Sequence, residues 1–354
     1  MMHTDERIHV LIAGCGSITQ YMAPYLAARP WFQAAGLVDV RDEALAQTGA
    51  KLGVPPERQY KDLAVALAHS GADTILLNTP SDTHYAQCKA ALAAGLHVLV
   101  AKPVTNNYEE AVELVAEAHA RGLTFAVAQQ IRYNRHYETV RRFIASGALG
   151  RVEAAWFMNS KPRPSPANLA TMAQPALYEM ACHHFDALLA VFGEAQPEWV
   201  ACDGFTPSWS PYAGPSMVNA LIRFTDGLHL SYHGGFASQA PMYEFRVEGT
   251  HGALCCHGLH MSNDTMHYEF APPLGQFSPV EIDADVPRQD PFVPFLDAWY
   301  AYRRGGIEPP FSGRNNLQVF AMLSAAIDSV TSGQPVRITD NPRYAAAFTT
   351  KGTA

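Results

Sequence analysis

The sequence predicts an α/β protein in two domains. An N-terminal parallel sheet of βα units is expected over residues 1–130, and an α+β domain with a large, mainly antiparallel sheet over 131–354. Three observations predict this. The chain has 354 residues, and a single hydrophobic core stops growing near about 250–300 before the chain splits. Short apolar runs alternate with amphipathic stretches through the first part. Past the turn at 147–150, strand-like runs follow one another through tight turns such as Asp226-Gly227.

In the first part, strands are expected at 8–13, 34–38, 59–60, 74–77, 97–100 and 124–128. The helices between them carry readable punctuation. Asp42 is placed to cap a helix that Gly53 closes, Asp62 precedes 63–69, and Ser81 or Asp82 precedes an Ala-rich helix closed by Gly95. Pro24 falls inside the first helix, where it removes a hydrogen bond and kinks the axis. After a helix near 136–146, strands are expected at 152–158, 199–203, 218–224, 228–236 and 244–248. Helices at 179–191, 291–303 and 315–331 are expected to cover one face of that sheet. The stretch 161–175, with Pro162, Pro164, Pro166 and Pro175, reads as a long loop, a kind of segment that tends to carry function.

Composition narrows the function classes. Hydrophobic residues make up 48% and charged residues 16%, a globular balance. A net charge of −8 without a basic block argues against nucleic acid and for a small-molecule partner. No apolar run approaches the ~18 residues of a spanning helix, and Met1-Met2-His3-Thr4-Asp5-Glu6 lacks secretory character, so a cytoplasmic location and no membrane partner are expected. The six cysteines show neither Cys-x-x-Cys nor disulfide-framework spacing. They read as reduced, mostly buried thiols, with Cys255-Cys256 a packing pair.

Gly14-Cys15-Gly16-Ser17-Ile18-Thr19 directly follows the first strand and opens the first helix. Gly14 permits a tight turn, and Gly16 lets the backbone approach a pyrophosphate held by the free N–H groups of the helix. Ser17 and Ile18 supply those first amides. Thr19 stands where this pattern usually has Gly or Ala, which bears on how closely helix and strand pack. Asp39 ends the second strand, where a carboxylate accepts hydrogen bonds from the adenosine ribose and repels a 2′-phosphate. A Rossmann domain that takes NAD in preference to NADP is therefore expected, with Arg41 softening the preference.

Further on stand Asn78-Thr79-Pro80-Ser81-Asp82-Thr83-His84, Ala94-Gly95-Leu96-His97-Val98 and Ala101-Lys102-Pro103. With the glycine motif, these segments resemble the Gfo/Idh/MocA oxidoreductases, the group typified by glucose–fructose oxidoreductase and inositol dehydrogenases. The likeness continues through 147–150, the helix from Glu179 to Asp186, Glu248-Gly249-Thr250-His251-Gly252, and 325–336, covering nearly the whole chain. It implies that the turn of Asn78, Thr79 and Pro80, with His84, lies against the cofactor, and that Lys102 reaches both nicotinamide ribose and substrate. Ala101 replaces the glutamate usual before that lysine. The resemblance also implies homodimers or homotetramers formed through the exposed face of the second sheet.

On a helix, Glu179, His183 and Asp186 share one face, so a base and carboxylates line a single stripe. The family pattern is Asp-x-x-x-His-x-x-Asp, and Glu179 here replaces the first Asp. The spacing is not that of a His-Glu-x-x-His zinc site, and no metal is expected. His184 and Asp186 read as structural residues. Arg132, Tyr133 and Asn134 follow the sixth strand, and Arg132 is a candidate substrate contact, as Lys161 and Arg163 are more distantly. The expected chemistry is hydride transfer between NAD(H) and a ring hydroxyl of a sugar, inositol or related polyol. His183 takes the proton, Lys102 steadies the alkoxide and Glu179 orients. Two alternatives stay open on the same residues: glycoside cleavage through transient oxidation, and a non-catalytic sugar or nucleotide sensor.

Overall fold

The computed structural model describes residues 7–165, 169–193, 195–259 and 266–348. The N-terminal Met1–Glu6 stretch and Pro166, both read above, lie outside them. The chain divides into two compact units: Met1–Gln129 with Phe292–Leu317, and Gln130–Pro291 with Gln318–Ala354.

The first unit opens with β1 (Ile8–Ala13), α1 (Ser17–Ala27), β2 (Phe32–Val38), α2 (Asp42–Leu52), β3 (Gln59–Tyr60) and α3 (Leu63–His69). It continues through β4 (Thr74–Leu77), α4 (His84–Ala93), β5 (His97–Ala101), α5 (Tyr108–Ala120) and β6 (Phe125–Ala128). The six strands are all parallel in the order β3-β2-β1-β4-β5-β6, a doubly wound sheet whose direction reverses between β1 and β4. All four residues of β4 and of β6 are buried, as expected for strands covered on both faces.

The helix boundaries follow local chemistry. Asp62 caps α3 by accepting the N–H of Val65, and Asn107 caps α5 by accepting that of Glu110. Asp42 is not the cap of α2. Arg41 holds that place, and Asp42 is instead a first-turn acid paired with Lys61 at 2.7 Å. Gly53 closes α2 in the left-handed region at φ +69. Ser81–Thr83 forms a 3₁₀ turn, so α4 starts at His84 with Thr83 as its cap. Pro24 does sit inside α1. It leaves the Gln20 carbonyl without its helical N–H, and the Lys51 ammonium reaches that oxygen at 3.4 Å.

Residues 291–303 were expected to cover the second sheet, but α8 (Phe292–Arg303) belongs to the first unit. Its aromatic residues explain the choice. Phe292 meets Tyr21 and Tyr25, while Trp31 stacks on Tyr300 at 4.8 Å and meets Trp299 edge-on at 5.7 Å. Arg303 pairs with Asp73, and Ser312 bridges to Ala126 of β6.

The second unit holds α6 (Arg135–Ala145), β7 (Val152–Ser160), α7 (Cys182–Phe192), β8 (Pro197–Phe205), β9 (Met217–Phe224), β10 (His229–Gly235) and β11 (Met242–Gly249). β12 (Gly252–Gly258), β13 (His267–Ala271), β14 (Ser278–Pro279) and β15 (Val336–Arg337) complete its nine-stranded sheet, and α9 (Gly313–Ser332) runs into this unit from Gln318. The strand order is β14-β13-β12-β11-β7-β10-β9-β8-β15. Every pairing is antiparallel except β7 with β10, so the sheet is mixed but mainly antiparallel. Alternation along β9 and β11 separates a buried face from an open one. Phe157, Tyr232, Tyr243 and Phe245 pack inward, while Trp156 and Leu221 stay exposed.

Candidate active site

In the first unit the glycine turn crosses the carboxyl ends of β1 and β4. Gly14 is required there twice over: its φ is +89, and a Cβ would stand 2.5 Å from the carbonyl oxygen of Asn78. At Gly16 the nearest atom to a Cβ is an Arg41 nitrogen at 3.7 Å, so the space before it is open. No side chain caps α1, and Ser17 and Ile18 are exposed, which leaves first-turn amides available to an anion. Thr19 is fully buried. Its hydroxyl donates to Gly14 O (2.5 Å) and accepts from Asn78 Nδ2 (2.8 Å), so the residue that departs from the usual small one ties turn to strand.

Asp39, just past β2, accepts the N–H of Cys15 (2.8 Å) and both the N–H and guanidinium of Arg41. Burial pushes its carboxyl up, but the hydrogen bonds from Arg41 and Cys15 outweigh that and hold it below the usual carboxylate range. It is thus a carboxylate aimed beside the turn. The Cys15 thiol is pushed by burial to about 11 and stays protonated. Open space at Gly16, uncapped amides and an ionised acid after β2 fit a bound dinucleotide.

Past β4, Thr79 donates to Gln87 and Pro80 is exposed. Lys102 follows β5 at its carboxyl end, where open α/β sheets take ligands. His84 joins the two turns: Nε2 lies 2.9 Å from Thr79 O and Nδ1 2.9 Å from Pro103 O. Burial pushes this imidazole's pKa down against the pull of those carbonyls, and a neutral ring donates to only one of them at a time. With no exposed surface, His84 holds the Thr79 and Lys102 turns rather than touching a cofactor, a correction to its expected direct contact.

In the second unit a π turn, Leu177–Ala181, leads into α7, and Glu179 lies on it. The expected stripe separates by burial. Glu179 and His183 keep partial exposure, whereas Asp186 is fully buried. Asp186 Oδ1 takes the Arg132 guanidinium at 2.7 Å, and Oδ2 has no hydrogen-bond partner among the described residues. Burial raises its carboxyl to about 6 despite the arginine. The Arg132 side chain is 9% exposed and engaged in this pair, so it pins the 3₁₀ turn Gln130–Tyr133 to α7.

His184 is also occupied. Asn159 Nδ2 donates to its Nε2 (3.0 Å), so Nδ1–H donates to the Tyr232 hydroxyl (2.9 Å), and burial pushes its pKa to about 3. Cys256 faces the core and Cys255 the other side of β12, where burial raises its thiol to about 11. Among the described residues no cluster of three His, Cys, Asp or Glu is arranged to hold a metal. The π turn, the Arg132–Asp186 pair and the partners of His184 escaped sequence reasoning. None has a local signature, since Arg132 and Asp186 stand 54 positions apart.

A doubly wound sheet with an open glycine turn and an acid after β2 marks a dinucleotide-binding Rossmann domain. The model of the oxidoreductase family with an NAD-binding Rossmann fold matches residues 8–129, and the GFO/IDH/MocA C-terminal domain matches 137–255. The chain belongs to the Gfo/Idh/MocA oxidoreductases. An uncharacterised protein of Sinorhizobium fredii is 26% identical over 95% of this chain and 96% of its own. D-apiose dehydrogenase of Paraburkholderia graminis is 24% identical over 98% of this chain and 94% of its own. Among solved structures, an inositol dehydrogenase homolog from Azotobacter vinelandii, complexed with NADH and myo-inositol, superposes with a TM-score of 0.78 at 20% identity, covering 94% of this chain and 97% of that one.

Proposed function

We propose that this enzyme oxidises a hydroxyl of a sugar, inositol or related polyol with NAD, or runs the reverse reduction. The observation that carries the reading is the division of labour on α7. His184 and Asp186 are buried and bonded within the unit, while His183 and Glu179 on the same segment retain surface. The relatives named D-apiose dehydrogenase and inositol dehydrogenase homolog support the polyol class. The ionised Asp39 supports NAD over NADP, because it would repel a 2′-phosphate.

The Gly14–Gly16 turn with the Ser17 and Ile18 amides would hold the pyrophosphate, Asp39 the ribose, and Thr79 and Pro80 the nicotinamide end. When bound, the nicotinamide supplies the hydride acceptor. Lys102 places positive charge beside the oxygen that becomes an alkoxide. His183 accepts the hydroxyl proton as general base. Glu179 binds a neighbouring hydroxyl. We further propose a cytoplasmic homodimer or homotetramer joined through the open sheet face, on which Arg246 stacks over Trp156 at 5.6 Å. No described helix is long and apolar enough to cross a membrane.

The test is cofactor reduction with a panel of inositols, hexoses and glycosides, repeated with Lys102→Ala and His183→Ala. Each variant is expected to lose about 10²-fold or more in kcat, as removal of an acid–base or charge-stabilising group does. Unchanged turnover in both refutes the assignment. Aglycone release without NADH accumulation would indicate glycoside cleavage instead.

A further inference from the structure

Arg163 lies on the segment that leaves β7, and its backbone is fixed. Lys161 N–H donates to Gly235 O (2.8 Å), Arg163 N–H to Phe236 O (2.9 Å), and the Tyr212 hydroxyl to Arg163 O (3.1 Å). The guanidinium stands over the Phe236 ring, 5.7 Å from its centroid. Phe236 belongs to a buried cluster with Tyr212, Leu169 and Met180. Met180 directly follows Glu179 on the π turn, so the cluster under the arginine also anchors the turn that carries the glutamate. The Tyr212 phenol registers both: burial raises its pKa, Arg163 lowers it and Glu179 raises it.

Several arginines of this unit have carboxylate partners, among them Arg132 with Asp186, Arg135 with Asp283 and Arg223 with Glu198. Arg163 is half-buried and stacked, yet its guanidinium makes no hydrogen bond or ion pair among the described residues. It presents rigid, planar donors shaped for a carboxylate or phosphate. Lys161, two residues earlier, adds a second positive charge, close enough to weigh on His184.

We propose that Arg163 reads a negative group carried by the substrate, a carboxylate or a phosphate on the sugar, and makes the enzyme selective for anionic sugars over neutral polyols. This rests on the polyol reading above. Glu179 takes hydroxyls and would repel an anion alone; Arg163, held over the cluster that anchors the π turn, offsets that charge and fixes which end of the sugar faces α7.

The test is calorimetric binding to NAD-saturated protein of three matched series: glucose, glucuronate and glucose 6-phosphate; the galactose equivalents; and myo-inositol with inositol 1-phosphate. In at least one series the anionic member is expected to bind about tenfold or more tighter than the neutral one, the scale of a charge-assisted pair. A uronate preference identifies a carboxylate and a sugar-phosphate preference a phosphate. Arg163→Met should bring the members within about twofold, Arg163→Lys should keep part of the preference, and added salt should weaken it. A thermal melt matching that of the parent protein reports that the variants fold, the second unit that carries Arg163 included. Equal or tighter binding of the neutral member in every series, or a preference that survives Arg163→Met, overturns the proposal. NADH formation separates the two readings. Turnover of neutral polyols without discrimination sinks the anion subsite alone, and discrimination without NADH from any sugar sinks the redox reading alone.

Discussion

Asp39→Asn keeps the shape of the side chain after β2 and removes its charge. In the protein, that charge is fixed beside the glycine turn by Cys15 N–H at 2.8 Å and by Arg41, whose Nε and one terminal nitrogen each lie 3.2 Å away. A 2′-phosphate brought within about 5 Å of a carboxylate is repelled by about 1–3 kcal/mol per unit charge for an effective dielectric between that of a protein surface and water. Removing the charge should therefore shift the ratio of NADPH to NADH dissociation constants by about 5–150-fold toward NADPH. Arg41, released from its partner, adds to the shift in the same direction. NADH affinity should itself fall, since a neutral amide is the weaker acceptor for ribose hydroxyls. Fluorescence titration with both reduced cofactors measures the ratio, and a thermal melt reports folding. A ratio unchanged within about twofold in a folded variant would refute the argument. An equal loss for both cofactors would mean that Asp39 serves only to hold the turn.

Two further outcomes follow from buried charge. Arg132→Met strands the Asp186 carboxylate without its partner and should destabilise the fold by about 3–5 kcal/mol, read from denaturant midpoints; a loss under about 1 kcal/mol contradicts the buried-pair account. His136 and His184 have folded pKa values depressed to about 3, so their contribution is present above the ordinary histidine range and lost as pH falls, because unfolded rings take up protons the folded ones refuse. At pH 5 that amounts to about 2 kcal/mol per ring. Asp186, raised to about 6, acts oppositely and restores about 1 kcal/mol over the same interval. Midpoints that stay flat from pH 7 to 5 would contradict this balance.

Sequence reasoning reached the sheet of the first unit almost residue for residue. β1 and β4 are short apolar runs bounded by turn residues, and strands covered on both faces leave little else to read. α8 was seen as a helix but given the wrong neighbour. Apolar and aromatic positions predict burial, not the partner, and Trp31 lies far from Trp299 in sequence. β12 and β13 were passed over because Cys255, Cys256, His257 and His267 give a weak two-residue alternation. At the site, the tight turn at Gly14 and the acid Asp39 beside it were legible. His184 was read as structural, and it is, but its partners were not legible, since Asn159 and Tyr232 are delivered by β7 and β10.

The return of Phe292–Leu317 to the first unit makes the nucleotide half a discontinuous piece of chain. A fragment cut after Gln129 would leave Trp31, Tyr21 and Tyr25 facing water and Asp73 without Arg303. During synthesis, the cofactor-holding half stays unfinished until most of the polypeptide has left the ribosome, so its final closure must await the intervening strands.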